Sequence, residues 1–235
     1  MLVLAIETSL TQSGEIGLFT SSSVCLGTAR LPEGRSQGEH LAPAIVDLLS
    51  QHHQSIDDLK AIAVSVGPGS FTGLRIAIAT AQGIAFARKI PIVGASTLAN
   101  IALTIPSTPS SRYVAPVIDA YKGEIFTGLF DRSQSLPTLI GIEVNIKPEH
   151  FPTWIAEHVP NDATCSIVGE RIEKYEALWK NIPRTTRIFE KTHPNIRNVA
   201  QLAWPKLSAA AWQDAKYVLP IYLRPVENEF KTTSV

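Results

Sequence analysis

Apolar and polar positions change period several times along the chain. Leu2–Ile6 is a continuous apolar run closed by Glu7-Thr8-Ser9. A run that short, ended by polar turn residues, predicts a strand buried on both faces. Gly14–Phe19 and Val24–Leu31 predict two more strands, the first joined to the run by the polar turn Leu10–Ser13. Leu41, Ala44, Ile45, Leu48 and Leu49 recur at i, i+3, i+4, i+7 and i+8, one face of an amphipathic helix. Ser36-Gln37-Gly38-Glu39 has capping-box spacing at its start, and Pro43 requires either a kink or a later start. Ala61–Val66 predicts another buried strand and Gly67-Pro68-Gly69-Ser70 a turn. A helix follows to about Arg88, capped by Ser70 or Thr72. It is apolar nearly all round, so more than one face should be covered. Pro91–Gly94 predicts a short strand and Thr97–Leu103 a short helix.

The segment 106–111, Pro-Ser-Thr-Pro-Ser-Ser, has the composition of a linker. It divides the chain into 1–107 and 108–235. The order then repeats: strands at Val114–Ile118, Gly123–Phe130 and Thr138–Ile146, a helix at Pro148–His158, a strand at Ser166–Gly169, a helix at Glu170–Trp179, a strand at Thr185–Phe189 and a helix at Ile196–Leu207. The openings of the halves also match in residues. Ala5-Ile6-Glu7 precedes Gly14–Phe19 (GEIGLF), and Val117-Ile118-Asp119 precedes Gly123–Phe130 (GEIFTGLF). The two acids lie 112 residues apart, about half the chain, so the repeat is a duplicated domain rather than a solenoid. Three sequential strands followed by alternating helices and strands predict an α/β fold, a mixed sheet with an antiparallel meander on one side. By analogy, two ribonuclease H-like halves in tandem resemble the actin-like (ASKHA) arrangement of actin and sugar kinases. The second half is the reduced one, and the C-terminal segment is expected to pack back on the first.

Composition narrows the function classes. Lys plus Arg is 21 and Asp plus Glu is 21, a formal net charge of zero, which argues against a domain that grips nucleic acid by charge alone. The 2 cysteines, Cys25 and Cys165, are too few for a disulfide scaffold or a cysteine-based zinc site. Glu7 ends the N-terminal apolar run and no basic region precedes it, so it is not an export signal. The longest apolar stretch, Leu74–Ala87, is interrupted by Arg75 and Gln82 and is shorter than the roughly 20 residues of a membrane span. A soluble, cytoplasmic protein is expected.

Glu7 and Asp119 fall at equivalent strand ends. They read either as carboxylates flanking an interdomain cleft, where they could hold magnesium, or as ordinary turn acids. The Gly-rich turn at Gly67, Gly69 and Ser70 reads either as an anion site on free helix N–H groups or as a tight strand-to-helix turn. It is not a Walker A motif, because no Gly-Lys-Ser/Thr follows. No histidine pair has helical i, i+4 spacing, so no metal site of that kind is expected. Neither Ser9 nor Ser70 lies in a Gly-x-Ser-x-Gly elbow, and no catalytic triad can be assembled. Gly73, Ala77 and Ala81 form a small-residue stripe on the second long helix, beside Leu74 and Ile78. They read as an interface or as doubly covered core.

As a whole string, GPGSFTGLR at 67–75 resembles the signature of the TsaB (YeaZ) family, the glycoprotease-like accessory subunit of bacterial tRNA threonylcarbamoylation. AIETS at 5–9, IPIVGASTL at 90–98, DAYKGEIF at 119–126 and PIYLR at 220–224 resemble further motifs of the family. The sequence departs from the pattern at Glu7, where Asp is usual, and at Tyr121, where Arg is common. The resemblance implies a non-catalytic subunit needed to form N6-threonylcarbamoyladenosine (t6A) at position 37 of ANN-decoding tRNAs. Its partners would be a TsaD-like catalytic paralogue, a TsaE-like ATPase and a second copy of itself. The TsaD-like paralogue or the second copy would be met through the first two helices at Leu41, Ile45, Leu48, Leu74, Ala77, Ile78 and Ala81, and tRNA would be reached mainly through the complex. A nucleotide, Mg-ATP or Mg-ADP, would touch Glu7, Thr8, Ser9, Gly67, Gly69, Ser70 and Asp119. The second reading is an actin- or sugar-kinase-like ATPase or phosphotransferase using Glu7 and Asp119 around Mg-ATP.

Overall fold

The structure is a computed structural model and describes residues 1–10, 14–32, 37–106, 108, 112–170, 172–183, 185–212 and 214–224. Part of the expected linker, the turn residues 11–13 and Ser36 of the expected capping box lie outside the described residues.

The continuous apolar runs become central strands. β1 (Leu2–Glu7) pairs antiparallel with β2 (Glu15–Phe19) and parallel with β4 (Leu59–Gly67). β3 (Cys25–Arg30) and β5 (Ile92–Ser96) complete a five-stranded sheet in the order β3-β2-β1-β4-β5. β1 is buried at every position, as a strand covered on both faces must be, whereas edge strand β3 alternates in exposure. The second sheet contains β6 (Tyr113–Asp119), β7 (Ile125–Asp131), β8 (Thr138–Ile146), β9 (Cys165–Glu170) and β10 (Thr185–Lys191). Its order, β10-β9-β6-β7-β8, repeats that of the first sheet with β6 in the place of β1. The pairing directions repeat as well.

α1 (Gln37–Gln51) runs through Pro43 and forgoes one helical hydrogen bond there. α2 (Phe71–Arg88) is capped by the Ser70 hydroxyl, which accepts from the Gly73 amide. It ends at Lys89, whose left-handed φ of 55° closes the last turn onto Ala85. α1 and α2 cover one face of the first sheet, where Leu4, Ile6, Leu41, Ile45, Leu48, Ala77 and Ala81 join one core.

The other faces are covered by exchange. α3 (Thr97–Leu103) belongs to the first half by sequence but packs on β6, β7 and β9 of the second sheet. Leu98, Ile101 and Ala102 meet Val114, Ile118 and Phe130 there. α6 (Ile196–Ser208) belongs to the second half and packs on β1, β2, β4 and β5 of the first sheet. Its Ala200 and Ala203 lie over Ala5, Ala61, Ala63 and Ala95, small residues that let helix and sheet approach closely. The remaining helices, α4 (Phe151–His158) and α5 (Glu176–Trp179), have 8 and 4 residues, against 15 and 18 in α1 and α2. The long helix expected from Glu170 is not formed. β9 continues through Glu170, and a 3-10 turn at Glu173–Tyr175 leads into the single turn of α5. Ile172 and Trp179 still reach the Phe151 core in this form, and the Trp179 indole donates to the Pro148 carbonyl at 2.9 Å. Among the described residues, no helix is long and apolar enough to cross a membrane.

The α6 contact can be tested by overpacking. Ala203→Leu should cost about 1–3 kcal/mol, roughly 2–12 °C in Tm for a chain of this size. Calorimetry reads it; an unchanged midpoint would contradict the seating of α6 on the first sheet.

Candidate functional site

The site lies where β1, the Gly turn and the β6–β7 hairpin converge. Gly67 has φ +103°, a backbone form that favours glycine, and its peptide bond to Pro68 is cis. Gly69 and Gly73 are required for proximity. A Cβ on Gly69 would stand 2.2 Å from the Ser9 carbonyl oxygen, and one on Gly73 would stand 2.1 Å from that of Thr8. Hydrogen bonds fix the approach: the Ser70 amide donates to the Ser9 carbonyl at 2.6 Å, and the Thr8 hydroxyl donates to the Gly73 carbonyl at 2.8 Å. The Gly-rich turn is therefore clamped to the loop after β1.

The two acids at equivalent strand ends have different surroundings. Glu7 is 1% exposed. It accepts from the Ser9 amide at 2.7 Å, from the Ser9 hydroxyl at 2.5 Å and from the Ser65 hydroxyl. Ser9 holds one carboxyl oxygen, and the Asn100 amide lies 3.4 Å from the other, the one Ser65 reaches. Burial pushes the Glu7 carboxyl above the usual carboxylate range, against the opposing effect of the serine hydrogen bonds. Asn100 of α3 also accepts from the Asn195 amide at 2.9 Å and donates to the Asn195 carbonyl at 3.1 Å, at the start of α6. Asp119 is held by Lys174 at 2.7 Å and by the Tyr121 amide at 3.2 Å.

A cavity of about 470 Å³ opens between the halves. Four of the expected nucleotide-site residues line it: Ser9, Gly69, Ser70 and Asp119. Glu7, Thr8 and Gly67 do not, so Glu7 and Asp119 do not face one another as a pair around a shared metal. The lengthened side chain at position 7 is folded back onto Ser9 and Ser65 instead. Among the described residues, no three His, Cys, Asp or Glu side chains gather as metal ligands.

The C-terminal segment supplies cavity walls that motif reading missed. Gln82 of α2 donates to the carbonyls of Ala215 and Val218 at 3.0 and 3.1 Å. The Ile221 amide donates to the Val66 carbonyl at 2.7 Å. Arg224 then crosses to the second half, where it pairs with Glu124 and donates to the carbonyls of Ala120 and Tyr121, each at 3.2 Å. Hydrogen bonds from Asn145 and Arg224 hold the Glu124 carboxyl below the usual range. The signal available in sequence was the closing string PIYLR, whose Ile221, Tyr222, Leu223 and Arg224 all line the cavity.

The seven residues expected at a partner surface need correction. Leu41, Ile45, Leu48, Leu74, Ala77, Ile78 and Ala81 are between 0% and 4% exposed. Their spacing marks the inward faces of α1 and α2, which cover the first sheet. The outward face of α2 carries a second small-residue row, Ala79, Gly83 and Ala87, with Phe86 86% exposed. Val46, 53% exposed, lies on the outer side of α1.

Two mixed sheets with exchanged helices around one cleft define an actin-like α/β protein. A ROK family protein from Streptococcus pneumoniae has this fold at 11% identity and TM-score 0.52, over 90% of this chain and all of that one. The model of TsaD, tRNA N6-adenosine threonylcarbamoyltransferase, matches residues 32–230. The tRNA threonylcarbamoyladenosine biosynthesis protein TsaB of Escherichia coli is 27% identical over 94% of this chain and 82% of its own length. The structure of YeaZ from Pseudomonas aeruginosa is 28% identical with TM-score 0.76, over 94% of this chain and 99% of that one. The chain belongs to the TsaD family, and within it to the TsaB (YeaZ) proteins.

The buried Glu7 carboxyl makes stability depend on pH. Its folded pKa is raised, so the folded state keeps a proton that the unfolded state releases. That stabilisation is complete below the ordinary Glu value and is lost as pH rises through the raised one. Glu7→Gln removes the loss, so the Tm difference, variant minus native, should grow between pH 5 and pH 8. Thermal melts check this, and a constant difference would mean that Glu7 is ionised throughout.

Proposed function

We propose that this chain is the accessory, non-catalytic subunit for t6A formation at adenosine 37 of ANN-decoding tRNAs, binding and stabilising a TsaD-like catalytic subunit. The observation that carries this reading is the similarity to TsaB along nearly the whole chain, motifs at both ends included. Each sheet with its helices is then a ribonuclease H-like half, the second reduced in its helices. A TsaE-like ATPase and a second copy of the chain are the further partners, tRNA is reached mainly through the complex, and the complex works in the cytoplasm. A Mg-ATP or Mg-ADP ligand of the assembly would meet this chain at Ser9, Gly69, Ser70 and Asp119.

The kinase-like alternative is not favoured. It needs Glu7 and Asp119 free toward a common ligand, whereas Glu7 is spent on Ser9, Ser65 and Asn100, and Asp119 on Lys174.

The outward face of α1 and α2 is the surface proposed for the TsaD-like partner. Exposed apolar residues gathered on two adjacent helices fit an interface, and Gly83 leaves open space above the helix into which another helix can settle. Phe86 is its aromatic anchor.

Phe86→Asp should leave the fold intact and weaken partner binding. An aromatic anchor contributes about 2 kcal/mol or more, roughly thirtyfold in Kd. Ile78→Glu should instead unfold the chain, because a charge buried without a partner costs several kcal/mol. Circular dichroism, pull-down of the TsaD-like subunit and t6A content of tRNA in complemented cells read these outcomes. A folded Phe86→Asp protein that binds the partner with native affinity would remove this face from the interface.

A further inference from the structure

The C-terminal segment is held in two different ways along its length. Near Val218 the hold is buried: Val218 is 5% exposed in the core of the first half, and Gln82 binds the carbonyls of Ala215 and Val218. From Leu219 to Arg224 the hold is largely polar and lies near the surface. Leu219 is 65% exposed. One backbone hydrogen bond, from the Ile221 amide to the Val66 carbonyl, fixes the middle. The half-exposed Tyr222 ring rests against that of Phe71, and its hydroxyl accepts from Arg75 at 2.8 Å. Arg224 reaches the second half, where its Nε donates to the Glu124 carboxylate at 2.8 Å and its Nη2 to the carbonyls of Ala120 and Tyr121. Segments that move are drawn from regions with few buried apolar contacts and solvent-exposed hydrogen bonds. The change in character falls between Val218 and Leu219.

What Arg224 grips is itself strained. Tyr121, Lys122 and Gly123 have φ of 58°, 53° and 75° in succession. The Glu124 amide donates to the Tyr121 carbonyl at 3.2 Å, so Lys122 and Gly123 are the central positions of that turn. Left-handed φ at both central positions suits Asn-Gly and fits lysine poorly, and Tyr121 adds a further left-handed residue. Such backbone persists only where its surroundings hold it. The holding groups here are the Asp119 carboxylate, which accepts from the Tyr121 amide, and Arg224, which takes two carbonyls of the turn. Both pieces line the cavity, Ala120–Lys122 from the hairpin and Ile221–Arg224 from the segment. Leu10 and Ile118, in the same lining, are only 6% and 3% exposed.

We propose that residues 219–224 are a hinged arm that closes the cavity, latched by Arg224 onto the strained 120–123 turn, and that arm and turn open together. Release of Arg224 frees the turn to relax, and relaxation of the turn moves the pair of carbonyls that Arg224 needs. The two movements are then one two-state equilibrium that can be biased from either end. The latch depends neither on the accessory role nor on the identity of the cavity's ligand.

Hydrogen exchange of the full chain, read amide by amide by NMR, tests the coupling. Arg224→Gln takes the charge out of the latch and should speed exchange of the Tyr121 and Glu124 amides by about tenfold, within the usual range for coupling between two sites. Lys122→Asn relieves the turn while leaving the partners of Arg224 in place, and should slow exchange of the Ile221 amide by about threefold. Amides of β1 should keep their native rates in both variants. Access is read with a maleimide on a Cys25→Ser, Ile118→Cys chain, whose cavity thiol should label about tenfold faster when Arg224→Gln is added. Leu10→Cys is the second reporter, and Glu124→Gln replaces Arg224→Gln if that variant fails to fold. A turn indifferent to Arg224→Gln, or an Ile221 amide indifferent to Lys122→Asn, would overturn the coupling. A cavity thiol that labels at the native rate in the latch variant would overturn the closing role of the arm.

Discussion

Glu7 is a carboxyl group closed off from solvent at the crossing point of the molecule, and its hydrogen bonds set what surrounds it. An acid buried this deeply is tolerable only if its oxygens are satisfied. The partners come from separate parts of the chain: Ser9 from the loop after β1, Ser65 from β4 and Asn100 from α3. Asn100 in turn holds the backbone at Asn195, where α6 begins. The two exchanged helices are thus registered on one another and on the first sheet through a small polar knot in an apolar setting. Partly satisfied knots of this kind are costly, so the position of each member constrains the others.

That registration determines the character of the cleft. With Ser9 turned toward Glu7, the carbonyls of Thr8 and Ser9 face the Gly turn, and only glycine at positions 69 and 73 lets α2 come so close. The amide of the cap residue Ser70 and that of Gly73 are then used within the protein. The cleft is left with a mostly apolar lining that includes the rings of Phe71, Tyr121, Phe126 and Tyr222, and with an ion-paired Asp119. The C-terminal segment, through Ile221, Tyr222, Leu223 and Arg224, completes the lining of this pocket.

Much of the fold was legible because strands with two covered faces and helices with one write their periods directly into the residues. β1 and β6 are apolar runs closed by an acid, β4 is one apart from Lys60 and Ser65, and α1 shows its inward row plainly. The failures share a cause. A row of small residues states that something approaches closely, not what it is. Gly73, Ala77 and Ala81 therefore read equally as interface and as core, and the sheet proved to be the neighbour. The helix expected at Glu170–Trp179 fails similarly: Ile172 and Trp179 reach their core from a 3-10 turn as well as from a longer helix. For the site, the strand-end acids and the Gly turn were visible, but the turning of Glu7 away from the cavity depends on Ser65 and Asn100, 58 and 93 residues further on. No local pattern carries that information.

The exchange of α3 and α6 also bears on how the chain is made. Synthesis proceeds from the N-terminus, and the first sheet is complete once Ser96 has been added. One of its faces, with Val3, Ala5, Phe19, Ala61 and Ala63, is covered by Val199, Ala200 and Ala203, roughly a hundred residues later. On the ribosome, that apolar face must wait through the synthesis of the entire second sheet. Contacts this distant in sequence slow folding and leave intermediates open to wrong partners. Ala and Val predominate on the waiting face, so it offers less adhesive area than the Leu- and Ile-rich face that α1 and α2 close early.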